Sequence, residues 1–249
     1  MGLKKQKRVV LMLGKGTENI MIFYTCAKLQ LITKMKTLSE LAKKHKTDKY
    51  THKYLGKNYL DFYSDWMSKK RFEVTKFLEI GVRGGASLRM WKDFFPNAFI
   101  YGIDIDPTCK SHEEDRVKIF IGSQNNKEFL EQVMQEVGEV DMILDDGSHI
   151  VKHMIFSFNV LFNSVKKEGL YIIEDLRTTY EECQNQHDVR NIWPGMKYND
   201  PEENLKNRRN DFNLFIQKHF ENLDKGVKTP LESVHYYPST VIFKKSNYE

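Results

Sequence analysis

Two apolar stretches that end in carboxylates organise this sequence: VDMILDDGSH, Val140 to His149, and LYIIEDL, Leu170 to Leu176. Apolar runs of this kind are typical of parallel strands that are buried on both faces of a sheet. About one helix of sequence separates them, which fits the right-handed crossover of a βαβ unit. We therefore expect two neighbouring parallel strands with their acids at the carboxyl edge.

The acids at this edge are the strongest functional signal in the chain. Paired strands lie roughly 5 Å apart, so we expect Asp145, Asp146, Glu174 and Asp175 to crowd one small site. Carboxylates that close repel one another unless a cation joins them or some take up protons. Oxygen ligands favour a hard cation such as Mg²⁺ over zinc. His149 lies on the same turn as Asp146 and is expected to work beside such a metal.

Bulk composition narrows the class of protein. The 249 residues, 40% of them hydrophobic, fit one α/β domain with a few appendages. There is no run of 18 apolar residues, so no membrane span is predicted. The three cysteines are scattered without paired spacing. That pattern predicts a reducing compartment, here the cytoplasm, and argues against a disulfide framework or a zinc ribbon.

The formal net charge of +5 is unevenly distributed. Residues 1–50 hold twelve Lys or Arg against three Asp or Glu, so the remainder of the chain is mildly acidic. An acidic body argues against nucleic acid as a partner. The residue pattern becomes regular only near Met35. We expect residues 1–36 to be a basic, flexible extension and residues 37–249 to form the domain that carries the function.

A glycine turn is the second informative stretch, in VTKFLEIGVRGGASLRMWKDFFP, residues 74–96. It predicts a strand from Val74 to Ile80, a tight turn, and a helix from Ala86 to Phe95. Such a turn lets a ligand approach backbone N–H groups, although a βα turn without a ligand has the same pattern. The next strand, in AFIYGIDIDP, places Asp104 where an acid can bind ribose hydroxyls or cap a helix.

The remaining pattern alternates helices and strands and predicts a seven-stranded sheet. Helices are predicted at 37–46, around the aromatic residues of 54–66, and at 128–137, 151–165 and 204–220; strands are predicted at 116–121 and on either side of Pro238 and Ser239. The polar stretch of residues 177–203 follows the second acidic strand. Because ligands of open α/β sheets bind at this edge, we expect it to be an acceptor-binding lid.

Six motifs together resemble the class I S-adenosylmethionine-dependent methyltransferases. More narrowly, they resemble the metal-dependent sugar O-methyltransferases of macrolide biosynthesis and their relatives near cephalosporin hydroxylase. The motifs are KTDK (residues 46–49), LEIGVRGGASLRMW (78–91), YGIDIDP, GSQNN, DDGSH and IIEDLRTTY, of which DDGSH followed by EDL is specific. The resemblance spans residues 38–245. It implies a Rossmann-like, mostly parallel seven-stranded sheet with an antiparallel last strand and helices on both faces.

The resemblance also implies a role for each site residue. The cofactor S-adenosylmethionine would contact eight residues: Glu79, Gly81, Gly85, Ser87, Asp104, Ser123, Gln124 and Asp145. Glu79, Gly81 and the turn after it would hold its methionine part, Asp104 would bind the ribose, and Ser123 and Gln124 would flank the adenine. Mg²⁺ would be held by Asp146, Glu174 and Asp175. His149 would be the general base, since imidazoles accept protons near neutral pH.

The activity implied is Mg²⁺-dependent transfer of a methyl group to a hydroxyl of a sugar or glycan-type acceptor, a small-molecule partner. The family often has GTDK where this chain has Lys46, and the macrolide enzymes carry a longer amino-terminal region. The acceptor and a homo-oligomeric state therefore stay open. Two alternatives also stay open: a repurposed or hydroxylase-like relative on the same fold, and a nucleic-acid methyltransferase that uses the basic amino terminus.

Overall fold

The computed structural model describes residues 35–51, 53–54, 56–180 and 208–247, without the side chains of residues 53, 54 and 208. The described residues from Leu38 onward belong to one compact unit. Most of the basic extension and nearly all of the expected lid at residues 177–203 lie outside the described residues. Both of those expectations therefore remain predictions.

A central sheet of seven strands organises this unit. Its strands are β3 (Lys76–Ile80), β4 (Phe99–Asp104), β5 (Val117–Ile121), β6 (Val140–Asp145), β7 (Val165–Ile173), β8 (Leu231–Tyr237) and β9 (Thr240–Lys245), in the order β5-β4-β3-β6-β7-β9-β8. Strand β9 runs antiparallel to both β7 and β8, while β3 to β7 pair in parallel. The seven-stranded sheet with one antiparallel, last strand is confirmed.

Six α-helices are described around the sheet: α1 (Leu38–His45), α2 (Tyr59–Met67), α3 (Ala86–Phe94), α4 (Lys127–Val137), α5 (Val151–Leu161) and α6 (Arg208–Asp224). They divide between two hydrophobic cores. One core contains apolar residues of α1, α2 and α3, and the other contains those of α4, α5 and α6. The expected helices on both faces are confirmed.

The alternation of strand side chains explains why two cores form. In β6, Met142 and Leu144 belong to the first core and Ile143 to the second. In β7, Ile172 faces the first core and Tyr171 the second. Successive side chains of a strand point to opposite faces, so an unbroken apolar run gives a strand that is buried on both sides.

Several details differ from the expectation. Helix α5 ends at Leu161 rather than at residue 165, because a short 3₁₀ turn follows and β7 already begins at Val165. The pairing of β7 with β6 then jumps from Val140↔Val165 to Met142↔Leu170, so a polar segment bulges from the strand. A two-stranded hairpin, β1 (Lys53–Tyr54) and β2 (Lys57–Asn58), was not expected at all.

The end of helix α1 shows how the KTDK segment folds without the family's glycine. Lys46 takes the left-handed backbone conformation, with φ 58°. The Thr47 N–H donates to the Ala42 carbonyl (3.2 Å) and the Lys46 N–H to the Lys43 carbonyl (3.3 Å). This pair of bonds is the Schellman end of a helix, whose left-handed position is usually glycine. Lysine tolerates the conformation here, and the chain then enters a 3₁₀ turn, Asp48–Tyr50.

Candidate active site

The two acidic strand ends lie side by side, as the sequence predicts. Strands β6 and β7 pair with Asp145 opposite Ile173, and the Glu174 N–H donates to the Asp145 carbonyl (3.0 Å). Strand β3 is the other neighbour of β6, and the Asp146 N–H donates to the Ile80 carbonyl (2.9 Å). The acids after β6 and β7 therefore meet the glycine turn after β3 at one edge.

Three of the predicted residues form a cluster that is able to hold a metal ion. One ligand atom each from Asp146, His149 and Asp175 lies within 4.8 Å of the others. The His149 Nε2 is 3.6 Å from Asp175 Oδ2. Both His149 (φ 56°) and Asp175 (φ 55°) adopt left-handed backbone conformations, which cost energy for residues other than glycine. Two such conformations at one site are typical of a functional constraint.

Glu174, the third acid that the family resemblance assigns to the metal, is held apart from this cluster. Its carboxylate is buried, and it accepts hydrogen bonds from the Tyr63 hydroxyl and from the Lys49 ammonium (2.8 Å). The structure therefore brings Asp146 and Asp175 together with His149, and it directs Glu174 towards a buried lysine and a buried tyrosine.

Lys49 was not predicted to enter the site. Its side chain is only 2% exposed, and its Nζ lies 2.5 Å from Asp146 Oδ2, 2.8 Å from Glu174 Oε2 and 3.4 Å from Glu79 Oε1. The sequence placed Lys49 only in the KTDK motif of the family resemblance. The KTDK motif was the available signal. The local sequence before the aromatic helix does not explain why a lysine would be buried, and lysine is rarely buried.

Two tyrosines of α2 complete the polar side of the site. The Tyr59 hydroxyl donates to Asp175, and the Tyr63 hydroxyl donates to Glu174. The sequence treated both only as aromatic core residues. Their rings are buried as expected, but each hydroxyl reaches an acid. Tyrosine rather than phenylalanine at two positions four residues apart was the available signal, since a buried tyrosine hydroxyl needs a partner.

The glycine turn after β3 lies directly against the loop after β6 that carries Asp146. Gly81 has φ +96°, and a Cβ at this position would lie 2.1 Å from the Asp146 carbonyl oxygen. Gly85, with φ +68°, begins helix α3, and the Ser87 hydroxyl donates to Glu79 Oε2 (2.7 Å). Asp104 Oδ2 accepts from the backbone N–H groups of the turn, at 2.8 Å and 3.0 Å. These residues thus form one connected surface.

The residues assigned to the adenine side form a separate buried network. The Gln124 amide nitrogen lies 3.1 Å from each oxygen of Asp145, and the Ser157 hydroxyl donates to the same carboxylate (2.7 Å). Gln124 also accepts from the Ser148 N–H (2.8 Å). Ser123 is half-buried and accepts from the Asn125 N–H. The network fixes the loop that carries the DDGSH motif relative to the end of β5.

Burial dominates the electrostatics of the site. It raises the pKa of Glu79 to about 7 and the pKa of Glu174 well above its ordinary value. Burial also opposes the charge of Lys49, but Asp146, Glu174 and Glu79 outweigh that effect and hold the lysine's pKa above its ordinary value. Lys49 is therefore a charged ammonium, whereas the raised pKa values of Glu79 and Glu174 favour the protonated forms of these two carboxyl groups.

The donor set fits a hard divalent cation. Three carboxylates contact Lys49, and Asp175 adds a fourth beside Asp146 and His149. Four carboxylates this close to one ammonium group repel one another unless protons or a further cation join them. An oxygen-rich set with one imidazole suits Mg²⁺ better than a thiolate-binding metal.

Curated relatives of this chain are sugar O-methyltransferases. It is 39% identical over 166 residues to the mycinamicin VI 2''-O-methyltransferase of Micromonospora griseorubida, and the matched region covers 64% of this chain and 37% of that protein. It is 38% identical over 166 residues to the demethylmacrocin O-methyltransferase of Streptomyces fradiae, covering 64% and 38%. This chain thus matches well under half the length of these relatives. No family model matches the chain.

A solved structure extends the similarity to most of the chain. The MycE methyltransferase from the mycinamycin pathway, in complex with Mg, SAH and mycinamycin VI, matches with a TM-score of 0.67 and 31% identity over 86% of this chain and 55% of that one. The fold is therefore that of the class I S-adenosylmethionine-dependent methyltransferases. Within that class, the chain's homologues are the macrolide sugar O-methyltransferases, as the six motifs indicated.

Among the described residues, no helix combines the length and the apolar character that crossing a bilayer needs.

Proposed function

We propose that this protein is a Mg²⁺-dependent O-methyltransferase that moves the methyl group of S-adenosylmethionine to a hydroxyl of a sugar or glycan-type acceptor. The observation that carries the proposal is the convergence of Asp146, His149 and Asp175 within 4.8 Å, beside the glycine turn. An imidazole between two carboxylates, next to a surface that suits a nucleotide-like ligand, supplies a proton acceptor and a cation site together.

The cofactor site would be formed by the glycine turn and the acids around it. Gly81 has no side chain, so the turn can pack closely against the backbone of Asp146. Ser87 orients Glu79, and Asp104 holds the turn in shape through two backbone N–H groups. The relatives named as methyltransferases, and the MycE complex with SAH, support the assignment of S-adenosylmethionine to this surface.

The acceptor hydroxyl would be activated by His149. Asp146 and Asp175 would hold Mg²⁺, with Glu174 behind them, and the bound ion would lower the cost of alkoxide charge on the acceptor. As the acceptor oxygen attacks the methyl carbon, the new C–O bond forms and the C–S bond breaks. The hydroxyl proton passes to the imidazole of His149, and the sulfur leaves as a neutral thioether. Positioning the acceptor in line with the C–S bond is the main task of the site.

The acceptor class is supported by the relatives. Several carry names that specify a sugar hydroxyl, such as the 2'- and 3'-O-methyltransferases that act on rhamnosyl tetracenomycin-C compounds in Streptomyces olivaceus. The partner proposed here is accordingly a small glycosylated molecule or a glycan. The stretch predicted to be the acceptor-binding lid, residues 177–203, lies almost entirely outside the described part of the chain.

The test is transfer of a labelled methyl group from S-adenosylmethionine to a panel of sugar acceptors, including mycinamycin VI and nucleotide sugars. We expect transfer to stop with EDTA and to return with Mg²⁺. Asp146→Asn should lose most of the activity and the response to Mg²⁺, because one cation ligand loses its charge. Transfer that is indifferent to EDTA, or an unchanged Mg²⁺ response of the variant, contradicts the proposal.

A truncated chain separates the proposal from the nucleic-acid alternative. Removing residues 1–34 deletes the basic surplus and leaves the described unit intact. A sugar O-methyltransferase should keep its activity. A nucleic-acid methyltransferase should lose its binding, because phosphate contacts by Lys and Arg dominate such affinities.

A further inference from the structure

Lys49 is the buried cation of a site that is otherwise built of acids. It lies in the 3₁₀ turn after α1, while its three carboxylate partners follow or belong to three adjacent strands: Glu79 in β3, Asp146 after β6 and Glu174 after β7. One side chain thus connects the cofactor side of the site, at Glu79, with the metal side, at Asp146 and Glu174.

Lys49 occupies oxygens that a metal would need. Glu174 has one oxygen bonded to Lys49 and the other to the Tyr63 hydroxyl, so both of its oxygens already have a donor. Asp146 presents Oδ2 to Lys49 at 2.5 Å. Lys49 thus bonds one carboxylate of the cluster able to hold a metal, Asp146, and one outside that cluster, Glu174.

Removing the ammonium group would leave an unstable set of charges. Three carboxylates of which two are fully buried would then face one another without a counterion. Buried charges are tolerated only when they are paired. The metal-free protein therefore depends on Lys49 to keep the strand ends together.

We propose that Lys49 is a resident counterion that holds Asp146 and Glu174 in the metal-free protein and competes with the divalent cation for these two carboxylates. The competition rests on the proposed function, because it concerns the same Mg²⁺ ion. The role of Lys49 as a counterion is independent of the proposed function. Lys49 stabilises these carboxylates when no metal is bound and, at the same time, weakens the binding of Mg²⁺.

The test compares full-length variants by calorimetric titration with Mg²⁺ alone, after dialysis against EDTA, and by thermal unfolding with and without Mg²⁺. Lys49→Met keeps the length of the side chain and removes its charge. We expect this variant to unfold several degrees lower without metal, to bind Mg²⁺ about tenfold tighter or more, and to recover stability when Mg²⁺ is added. Lys49→Arg keeps the charge and should stay near the parent in Mg²⁺ affinity.

Lys166→Met is the matched control. Lys166 also pairs with a carboxylate, Asp141 (2.9 Å), but at the amino end of β6, away from the site. Its loss should lower stability without changing Mg²⁺ affinity. If Lys49→Met does not fold, the double variant Lys49→Met with Glu79→Gln removes one charge of each sign and should still bind Mg²⁺ more tightly than the parent.

Mg²⁺ affinity that is unchanged or lower in both Lys49→Met variants overturns the competition. A metal-free Lys49→Met protein as stable as the parent overturns the counterion role. If Lys49→Met binds Mg²⁺ and the parent does not, the inference is supported in its strongest form. If none of the variants binds Mg²⁺, the metal in the proposed function fails, and the metal-free stability of Lys49→Met still decides the counterion role.

Discussion

His149 stands where a strained backbone and a set of acids meet. Its φ of 56° turns the ring back towards Asp175, with Nε2 3.6 Å from the carboxylate. Strained backbone conformations persist when the surrounding structure enforces them, and they cluster at functional sites. The role of general base that we propose for His149 fits both its conformation and its position beside the acids.

Replacing this histidine tests its role. We predict that His149→Ala lowers the rate of methyl transfer by about 10²–10⁴-fold, the usual contribution of a general base. Its affinity for S-adenosylmethionine should stay unchanged, because the cofactor surface is formed by other residues. His45→Ala, which removes a histidine paired with Asp93 outside the site, should behave like the parent. A full rate in His149→Ala would remove the residue as the base.

Glu79 carries the clearest pH dependence at the residue scale. Burial raises its pKa from an ordinary value of 4.5 to about 7 in the folded protein. The folded state therefore keeps a proton that the unfolded state has lost between these two pH values, so stability falls as the pH rises through this window and is constant above it.

The Glu79→Gln variant should lack this decrease in stability with rising pH. In metal-free protein, the free energy of unfolding of the parent should drop between pH 5 and pH 8 by up to about 3 kcal/mol more than that of the variant. Urea denaturation at the two pH values measures the difference. Parallel profiles for parent and variant would show that Glu79 does not titrate in this range.

At the scale of elements, the contact between two loops decides the shape of the cofactor surface. Gly81→Ala would place a Cβ 2.1 Å from the Asp146 carbonyl oxygen in a backbone conformation that alanine rarely adopts. We predict a loss of cofactor affinity and of several kcal/mol of stability. Gly84→Ala, in the same turn but in open space, is the control. Equal affinity of both variants would show that the close approach is not needed.

The end of helix α1 gives a prediction of opposite sign. Lys46 holds the left-handed position that glycine prefers. Lys46→Gly should therefore raise the free energy of unfolding by roughly 0.5–1 kcal/mol, the strain relieved less the added entropy of the unfolded chain. Lys43→Gly, inside the same helix, should lower it by about 1 kcal/mol. Chemical denaturation of both variants checks the prediction, and a destabilised Lys46→Gly protein would contradict it.

The elements show which parts of the site can be predicted from sequence. Asp146 and Asp175 follow apolar runs, and parallel strands place their ends together, so local pattern was enough to predict their meeting. Lys49 meets Asp146 and Glu174, which lie 97 and 125 residues away. No local pattern encodes a contact of that kind, and lysine is rarely buried.

The same limit applies to the separation of roles among the acids. The family resemblance assigns Asp146, Glu174 and Asp175 to one metal site. The structure divides them, since Tyr63 and Lys49 approach Glu174 from α2 and from the turn before it. That division depends on how the amino-terminal helices pack on the sheet, and a sequence pattern predicts their existence but not their contacts.

At the scale of the whole molecule, the sheet order explains why the site forms where it does. Strand β3 starts the chain's first crossover, and β6 returns to its other side, so the strand order reverses between them. Ligands of open α/β sheets bind at such a reversal, beyond the carboxyl ends of the strands. The glycine turn, after β3, and the acid cluster, after β6 and β7, lie on the two sides of this reversal in strand order.

The central claim is that this reversal is a binding site for S-adenosylmethionine. Calorimetric titration of the full-length protein with S-adenosylmethionine, with Mg²⁺ and separately with EDTA, tests it most directly. We predict saturable binding at one site per chain in both conditions, because the cofactor surface does not include Asp175 or His149. A folded sample that binds no S-adenosylmethionine in either condition would contradict the account and leave a methyltransferase fold used for another purpose.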